Sequence, residues 1–142
     1  MKYLLDTCVI SELITRQPNE DVVIWVDSLD EDAVYLSAIT IGEIQKGIEK
    51  LLDSNRKTNL KIWLDDELRP RFMNRIVPLD SEIMITWGTL VARLEKEGHP
   101  MPAIDALIAA TAVQRELVLV TRNEKDFSQT GVKILNPWKL PQ

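Results

Sequence analysis

The 142-residue sequence predicts an α/β fold in which a mostly parallel sheet is covered by helices on both faces. Three observations lead there. Short apolar runs alternate along the chain with stretches of helical periodicity. The clearest runs, Tyr3-Leu4-Leu5 and Leu117-Val118-Leu119-Val120, are apolar throughout, as strands covered on both faces are. A content of 45% hydrophobic and 27% charged residues is enough to build a core and suits one domain over 1–142.

Taken in order, Tyr3 to Leu5 reads as a first strand ending in Asp6. Val9 to Ile14 follows as a short helix, broken by Gln17-Pro18-Asn19. Asp21 to Leu29 has apolar residues at 22, 23, 26 and 29, a helical spacing. Ala33 to Leu36 is a second strand. Ser37 or Thr40 caps the next helix, from about Ile41 through Leu52, and Thr40 with Glu43 fits the capping-box spacing. Asn59 to Leu68 is helical and is expected to stop before Pro70. Arg75 to Leu79 is a third strand, and Asp80 or Ser81 opens a helix through Lys96 that Gly98 ends. Pro102 suits the first position of a helix through Glu116. Leu117 to Val120 and Lys133 to Leu135 complete the strands.

The net charge of −5 argues against a protein that holds nucleic acid through a large basic face. It is compatible with a metal site made of carboxylates, whose charge a bound cation offsets. Lys46, Lys50, Arg56, Lys57, Lys61, Arg69, Arg71 and Arg75 crowd the middle of the chain. They form a solvated helical face or a surface for phosphate or a partner. A single cysteine excludes an intramolecular disulfide framework, and a cytoplasmic setting is expected. No apolar stretch approaches a membrane span, and Asp6 interrupts the N-terminal apolar run before a signal-peptide core develops.

Four acids fall where an open α/β sheet gathers its chemistry, at strand ends and helix starts. Asp6 ends the first strand. Glu43 lies early in the helix after strand two, where it also has a capping role available. Asp105 sits among Ala103, Ile104, Ala106, Leu107 and Ile108, an apolar setting that is costly for a carboxylate without a partner. Asp126 follows the Leu117–Val120 strand, with Asn123 nearby. Clustered carboxylates repel one another unless a cation joins them, and oxygen ligands suit Mg²⁺. One cysteine and one histidine cannot furnish an ordinary zinc site.

Four segments, in order and spanning nearly the whole chain, resemble the motifs of PIN-domain ribonucleases, and more narrowly of VapC-type toxins in their FitB-like branch. They are Tyr3-Leu4-Leu5-Asp6-Thr7, Ser37-Ala38-Ile39-Thr40-Ile41-Gly42-Glu43, Ala103-Ile104-Asp105-Ala106 and Leu119-Val120-Thr121-Arg122-Asn123-Glu124-Lys125-Asp126-Phe127. Asn136-Pro137-Trp138 is similar to the ending of that branch. The resemblance implies a three-layer α/β/α sandwich. It assigns Asp6, Glu43 and Asp105 to a Mg²⁺ site (Mn²⁺ as substitute) and Asp126 to a fourth position. Many members carry Asp where this chain has Asn123, so Asn123 and Asp126 both stand as candidates for the last corner, and one or two metals remain open. Thr7 and Thr121 have two readings, orienting ligands or water and capping a turn.

By the same resemblance the activity is metal-dependent cleavage of RNA by an activated water, with Glu43 or Asp126 accepting its proton. The partners implied are the RNA substrate, a VapB-like protein antitoxin lying over the acidic site, and a second copy of the chain in a homodimer, heterotetramer or larger assembly. A catalytically degraded PIN-fold module that only binds an antitoxin-like partner is the alternative. An aspartyl-phosphate phosphatase also places Asp after strand one, but position 8 is Cys where it needs a second Asp.

Overall fold

The computed structural model describes residues 1–140; Pro141 and Gln142, the end of the domain expected over 1–142, lie outside the described residues. Five short strands form one sheet: β1 (Tyr3–Leu5), β2 (Val34–Ser37), β3 (Ile76–Val77), β4 (Val118–Val120) and β5 (Ile134–Leu135). Their order is β3-β2-β1-β4-β5 and every neighbouring pair is parallel. Leu4 is opposite Tyr35 on one side and Leu119 on the other, which makes β1 the central strand.

Successive residues of a strand face opposite ways, and the two faces carry separate cores. Leu5, Leu36 and Val120 join Val9, Ile10, Val22, Ile44, Ile48 and Leu64 on one face. Leu4 and Leu119 meet Leu90, Leu94, Ile108, Ala109 and Phe127 on the other. The first layer is built from α1 (Thr7–Leu13), α2 (Glu20–Asp27), α3 (Ala38–Glu49), α4 (Asn55–Ile62) and the short α5 (Arg69–Arg71). The second contains α6 (Ser81–Lys96), α7 (Ala103–Gln114) and α8 (Glu124–Phe127). This is the expected α/β/α sandwich. Each fully buried Leu contributes about 1.5–3 kcal/mol, so a three-residue strand such as β1 is held by what covers it.

Local details depart from expectation for identifiable reasons. Ser37 caps α3 by accepting from the Ile39 backbone N–H, so the helix begins at Ala38 and Thr40 lies buried within it. The capping box of Thr40 with Glu43 does not form. The helix after Ser54 begins at Asn55 and does not stop before Pro70. A π-helical stretch, Trp63–Leu68, precedes that proline. Its wider turn relieves the clash a proline ring makes with the carbonyl four residues back, and the chain stays helical to Arg71. β3 is only Ile76–Val77, because Pro78 brings no N–H to extend the ladder. Arg75 still adds a carbonyl that accepts from Leu36 N–H at 3.0 Å.

Pro102 stands at the cap of α7 and not at its first residue. The helix ends at Gln114, since Glu116 has a left-handed backbone, φ 55°, that turns the chain into β4. Gly98, φ 79°, closes α6 as expected: the His99 N–H reaches the Leu94 carbonyl at 2.8 Å. The basic middle region is mostly paired. Lys57, Lys61, Arg69 and Arg71 form ion pairs with Asp53, Glu49, Asp65 and Glu31. Arg75 donates to the carbonyls of Val34, Glu31 and Arg71.

Because Ser37 is fully buried at its capping position, Ser37→Ala is expected to cost about 1 kcal/mol. A lower urea midpoint at unchanged slope checks it.

Candidate metal centre

The chain passes outward from β1 to β2 and β3, then returns across the sheet through α6 and α7 to place β4 on the other flank of β1. The order therefore reverses between β1 and β4, and the crevice beyond their carboxyl ends is where such sheets bind ligands. Asp6 directly follows β1 and Thr121 directly follows β4.

Asp6 is 5% exposed, which is little for an acid. Its backbone still belongs to the sheet, with the N–H donating to the Val120 carbonyl at 2.9 Å. The side chain caps α1: Oδ1 accepts from Thr7 N–H at 2.8 Å. Oδ2 accepts from the buried Thr121 hydroxyl at 2.8 Å, and the Cys8 thiol approaches the same oxygen at 3.6 Å. The positive end of α1 adds to this compensation. Thr121 also accepts from Asn123 N–H at 3.0 Å, which ties the loop after β4 to the carboxylate after β1.

Glu43 sits one turn inside α3. The Thr7 hydroxyl donates to its Oε1 at 2.6 Å, a short charge-assisted bond. The same Thr7 oxygen lies 3.1 Å from the hydroxyl of Thr40. The helix starts of α1 and α3 are thereby joined at Thr7, and Glu43 is turned toward the end of β1. Thr7 holds Glu43 by its hydroxyl, whereas Thr121 makes contacts of both expected kinds, donating to Asp6 and accepting from Asn123 N–H in its own turn.

Asp105 is in the first turn of α7, ahead of a run that is almost wholly buried: Ala106, Ile108, Ala109, Ala110, Thr111 and Ala112. Asp105 and Asp126 line one cleft with His99, Pro102 and Lys125, and Glu43 lines the neighbouring one with Lys46 and Ile104. Burial, and after it the charges of Asp6, Asp126 and Glu43, push the Asp105 carboxyl above the usual carboxylate range. Asn123 precedes α8 without its side chain capping that helix.

Among the described residues, none of these four acids is in a salt bridge with Lys, Arg or His. They are near enough for Asp105 to feel the other three, yet no three acids, histidines or cysteines among the described residues converge into a ligating group. The first of these facts suits a cation. Mg²⁺ takes one or two direct carboxylates and reaches others through its hydration shell. A donor set of carboxylate oxygens, none of them in a salt bridge among the described residues, fits such an ion. Cys8 does not turn the set toward softer metals, since burial and then Asp6 push its thiol up, favouring the neutral form.

A family model described as PIN domain matches residues 3–133. The chain belongs to the PIN-domain family. Among curated PIN-family relatives, Toxin FitB of Neisseria gonorrhoeae is 41% identical over 95% of this chain and 97% of its own. VapC ribonuclease Y4jK of Sinorhizobium fredii is 34% identical, covering 96% of this chain and 97% of the relative. The crystal structure of FitAcB from Neisseria gonorrhoeae superposes with a TM-score of 0.93 at 40% identity, over 97% of this chain and 99% of that one. No helix among the described residues of this PIN domain is long and apolar enough to cross a membrane.

Sequence reasoning missed two members of the site. Thr40, offered as a cap, is a buried hydroxyl beside Thr7. Cys8 touches both Asp6 and Thr121, and its position two residues beyond Asp6 on a helix start was the available signal. Ser37, the other cap offered, does the capping.

The raised Asp105 carboxyl has a consequence for stability. The folded chain holds the Asp105 proton more tightly than the unfolded chain does. The stability that Asp105 contributes is therefore greatest below the ordinary carboxylate range and is lost as pH rises through the raised value. Asp105→Asn removes that loss. In EDTA the variant is expected to melt above the parent at neutral pH, with the gap closing as pH falls below about 4. A variant that melts lower at pH 7 counts against the carboxylate repulsion.

Proposed function

We propose that this chain is a Mg²⁺-dependent endoribonuclease, the toxin of a toxin–antitoxin pair, working in the cytoplasm as a single PIN domain over 1–142. The observation that carries the reading is Asp105: burial, and after it the charges of Asp6, Asp126 and Glu43, raise its carboxyl, and none of the four acids is in a salt bridge among the described residues. Names of relatives support the substrate class. Beside the VapC ribonuclease above, a VapC of Shigella flexneri, 28% identical over 97% of this chain and 98% of its own, is called a tRNA(fMet)-specific endonuclease.

Asp6, Glu43, Asp105 and Asp126 would hold the ion. A bound divalent cation supplies charge against the phosphoryl oxygens and acidifies the attacking water. Thr121 and the Thr7 N–H fix both oxygens of Asp6, so this carboxylate has one orientation before any ligand arrives. Thr7 does the same for Glu43, whose other oxygen is left to accept the water's proton. Attack by water leaves a 5′-phosphate and a 3′-hydroxyl. Asp126 is the fourth corner in this reading, because it shares a cleft with Asp105 and acts on its charge. Asn123 gives its backbone N–H to Thr121, a contact that does not use its side chain.

The partners follow from the solved neighbours, which include FitAB bound to a DNA fragment, TM-score 0.93 at 38% identity over 99% of this chain and 98% of that one. In this reading the chain pairs with a protein antitoxin, which by the family resemblance covers the acidic crevice. A homodimer of the toxin, within a heterotetramer or larger complex, completes the assembly proposed.

Purified protein free of its partner is expected to cleave RNA with added Mg²⁺ and not in EDTA, leaving 5′-phosphate ends in end-sequencing. Asp6→Asn and Asp105→Asn should each lower the rate by more than about 100-fold, since outer partners of metal ligands alone are worth about 10–100-fold. Cleavage that survives both changes in folded protein, or 2′,3′-cyclic phosphate ends, sinks the mechanism. If folded parent protein cuts nothing and still binds its partner, the chain is the silent module instead. In a Mg²⁺ titration of the rate, Asp126→Asn should raise the half-saturating concentration about tenfold and Asn123→Ala should change it by less than about twofold. The reverse result makes Asn123 the fourth corner.

A further inference from the structure

The Asn136-Pro137-Trp138 segment lies at the far end of the chain from the carboxylates in sequence, yet it lies against the loop that carries two of the candidate site residues. Asn136 is 7% exposed, with every polar atom of its side chain in use. Its Oδ1 accepts from Trp138 N–H at 2.9 Å, closing the turn Pro137–Lys139. Its Nδ2 donates to Glu124 Oε2 at 3.0 Å and lies 3.5 Å from the Arg122 carbonyl. The Arg122 guanidinium stands over the Trp138 ring, 5.5 Å from its centre, and Lys139 pairs with Glu124 at 3.3 Å. Trp138 itself packs on the core around Leu5, Val22 and Val120.

These contacts grip the loop at Arg122 and Glu124, the residues on either side of Asn123. What they grip cannot hold itself. α8 is four residues long, about one turn, and isolated helices that short do not persist in water. It lacks a side-chain cap at Asn123. Its far end is held by Phe127, buried against the second core, and its cap residue Asn123 by the Thr121 hydroxyl, which accepts the Asn123 N–H and is itself bonded to Asp6. The Arg122 and Glu124 side chains are held by the C-terminal turn.

We propose that the Asn136–Trp138 turn is a positioning clamp for the metal site: by fixing Arg122 and Glu124 it sets the direction of α8 and so where Asp126 stands relative to Asp105. The clamp rests on the reading of Asp126 as a corner of that site. None of the clamp residues touches a reacting atom; they act through the backbone of the loop. A purely structural turn would stabilise the chain without altering how the resting protein binds a cation, and this difference makes the two separable.

The test is binding of Mn²⁺ alone, followed by electron paramagnetic resonance on the full chain without RNA. Asn136→Ala and Glu124→Ala are expected to weaken the Asp6-dependent Mn²⁺ site about tenfold, the lower end of the range for outer partners of metal ligands. Glu124→Gln should stay within about threefold of the parent, because its amide oxygen still accepts from Asn136. It loses the same charge as Glu124→Ala, so the comparison separates the hydrogen bond from the charge. Glu124 is half-buried at a helix start and belongs to neither core, so both changes leave the cores intact. Val77→Ala, in the strand farthest from β5, serves as the control for lowered stability and should melt earlier with Mn²⁺ affinity unchanged. Equal affinity in parent and Glu124→Ala overturns the clamp, as does equal weakening in the Ala and Gln variants or in Val77→Ala. If the parent itself binds no Mn²⁺ that Asp6→Asn abolishes, the nuclease reading falls and the clamp with it.

Discussion

Asp6 puts an ionised group where the sheet leaves it almost no water, and the site is arranged around that constraint. A buried carboxylate without partners costs several kcal/mol, enough to threaten a domain whose whole stability is about 5–15 kcal/mol. Here the cost is offset by the Thr7 N–H, the Thr121 hydroxyl and the start of α1. Each requires a tertiary fact. Thr121 reaches Asp6 only because β4 pairs in register beside β1, Leu5 opposite Val120. The parallel pairing that builds the hydrophobic core is thus the same pairing that makes the charge tolerable.

The remaining acids sit under the opposite constraint. Nothing positive is paired with them, and Asp105 carries the consequence in a carboxyl pushed toward its neutral form. Lys125 lines the cleft of Asp105 and Asp126, and Lys46 that of Glu43, yet neither closes a salt bridge with these acids. Other cations are spent on Asp53, Glu49, Asp65 and Glu31 around the helices of the first layer, and on Asp80, which Arg115 meets at 2.6 Å. Unrelieved repulsion at the carboxyl end of a parallel sheet, with stability available to absorb it, is what a cation-binding crevice looks like before its ligand arrives. The threonines serve that end by fixing carboxylate orientations, which costs less at the moment of binding than ordering free side chains.

Much of this was legible along the chain. The strands around Leu4, Leu36 and Leu119 were recognisable because runs that are apolar throughout satisfy a sheet covered on both faces. The acids stood out because Asp6 and Asp105 interrupt such apolar company. The boundaries were less legible. Thr40 and Glu43 fit the capping-box spacing, but capping competes with a distant hydroxyl, and Thr7 is 36 residues away from Glu43 in sequence. Pro70 reads as a stop signal unless a π-helical stretch happens to precede it, and local propensity does not announce one. Cys8 joins the site only through tertiary structure, because its partners, Asp6 and Thr121, are brought together by strand order.

By itself the sequence determined the period of each element, the class of fold that those periods can build, and which acids cannot be explained by solvation. These are local properties: an apolar run or a misplaced carboxylate is visible within a few residues. Only the tertiary structure decided that β4 lies next to β1, that Ser37 and not Thr40 caps α3, and that Asn136 reaches Glu124 and the Arg122 carbonyl at the far end of the chain. Hydrogen bonds between hydroxyls, amides and carboxylates act over about 3 Å, and whether two such groups come that close depends on how whole layers pack. The chemistry of the crevice was written in residue types, and its geometry in the order of the strands.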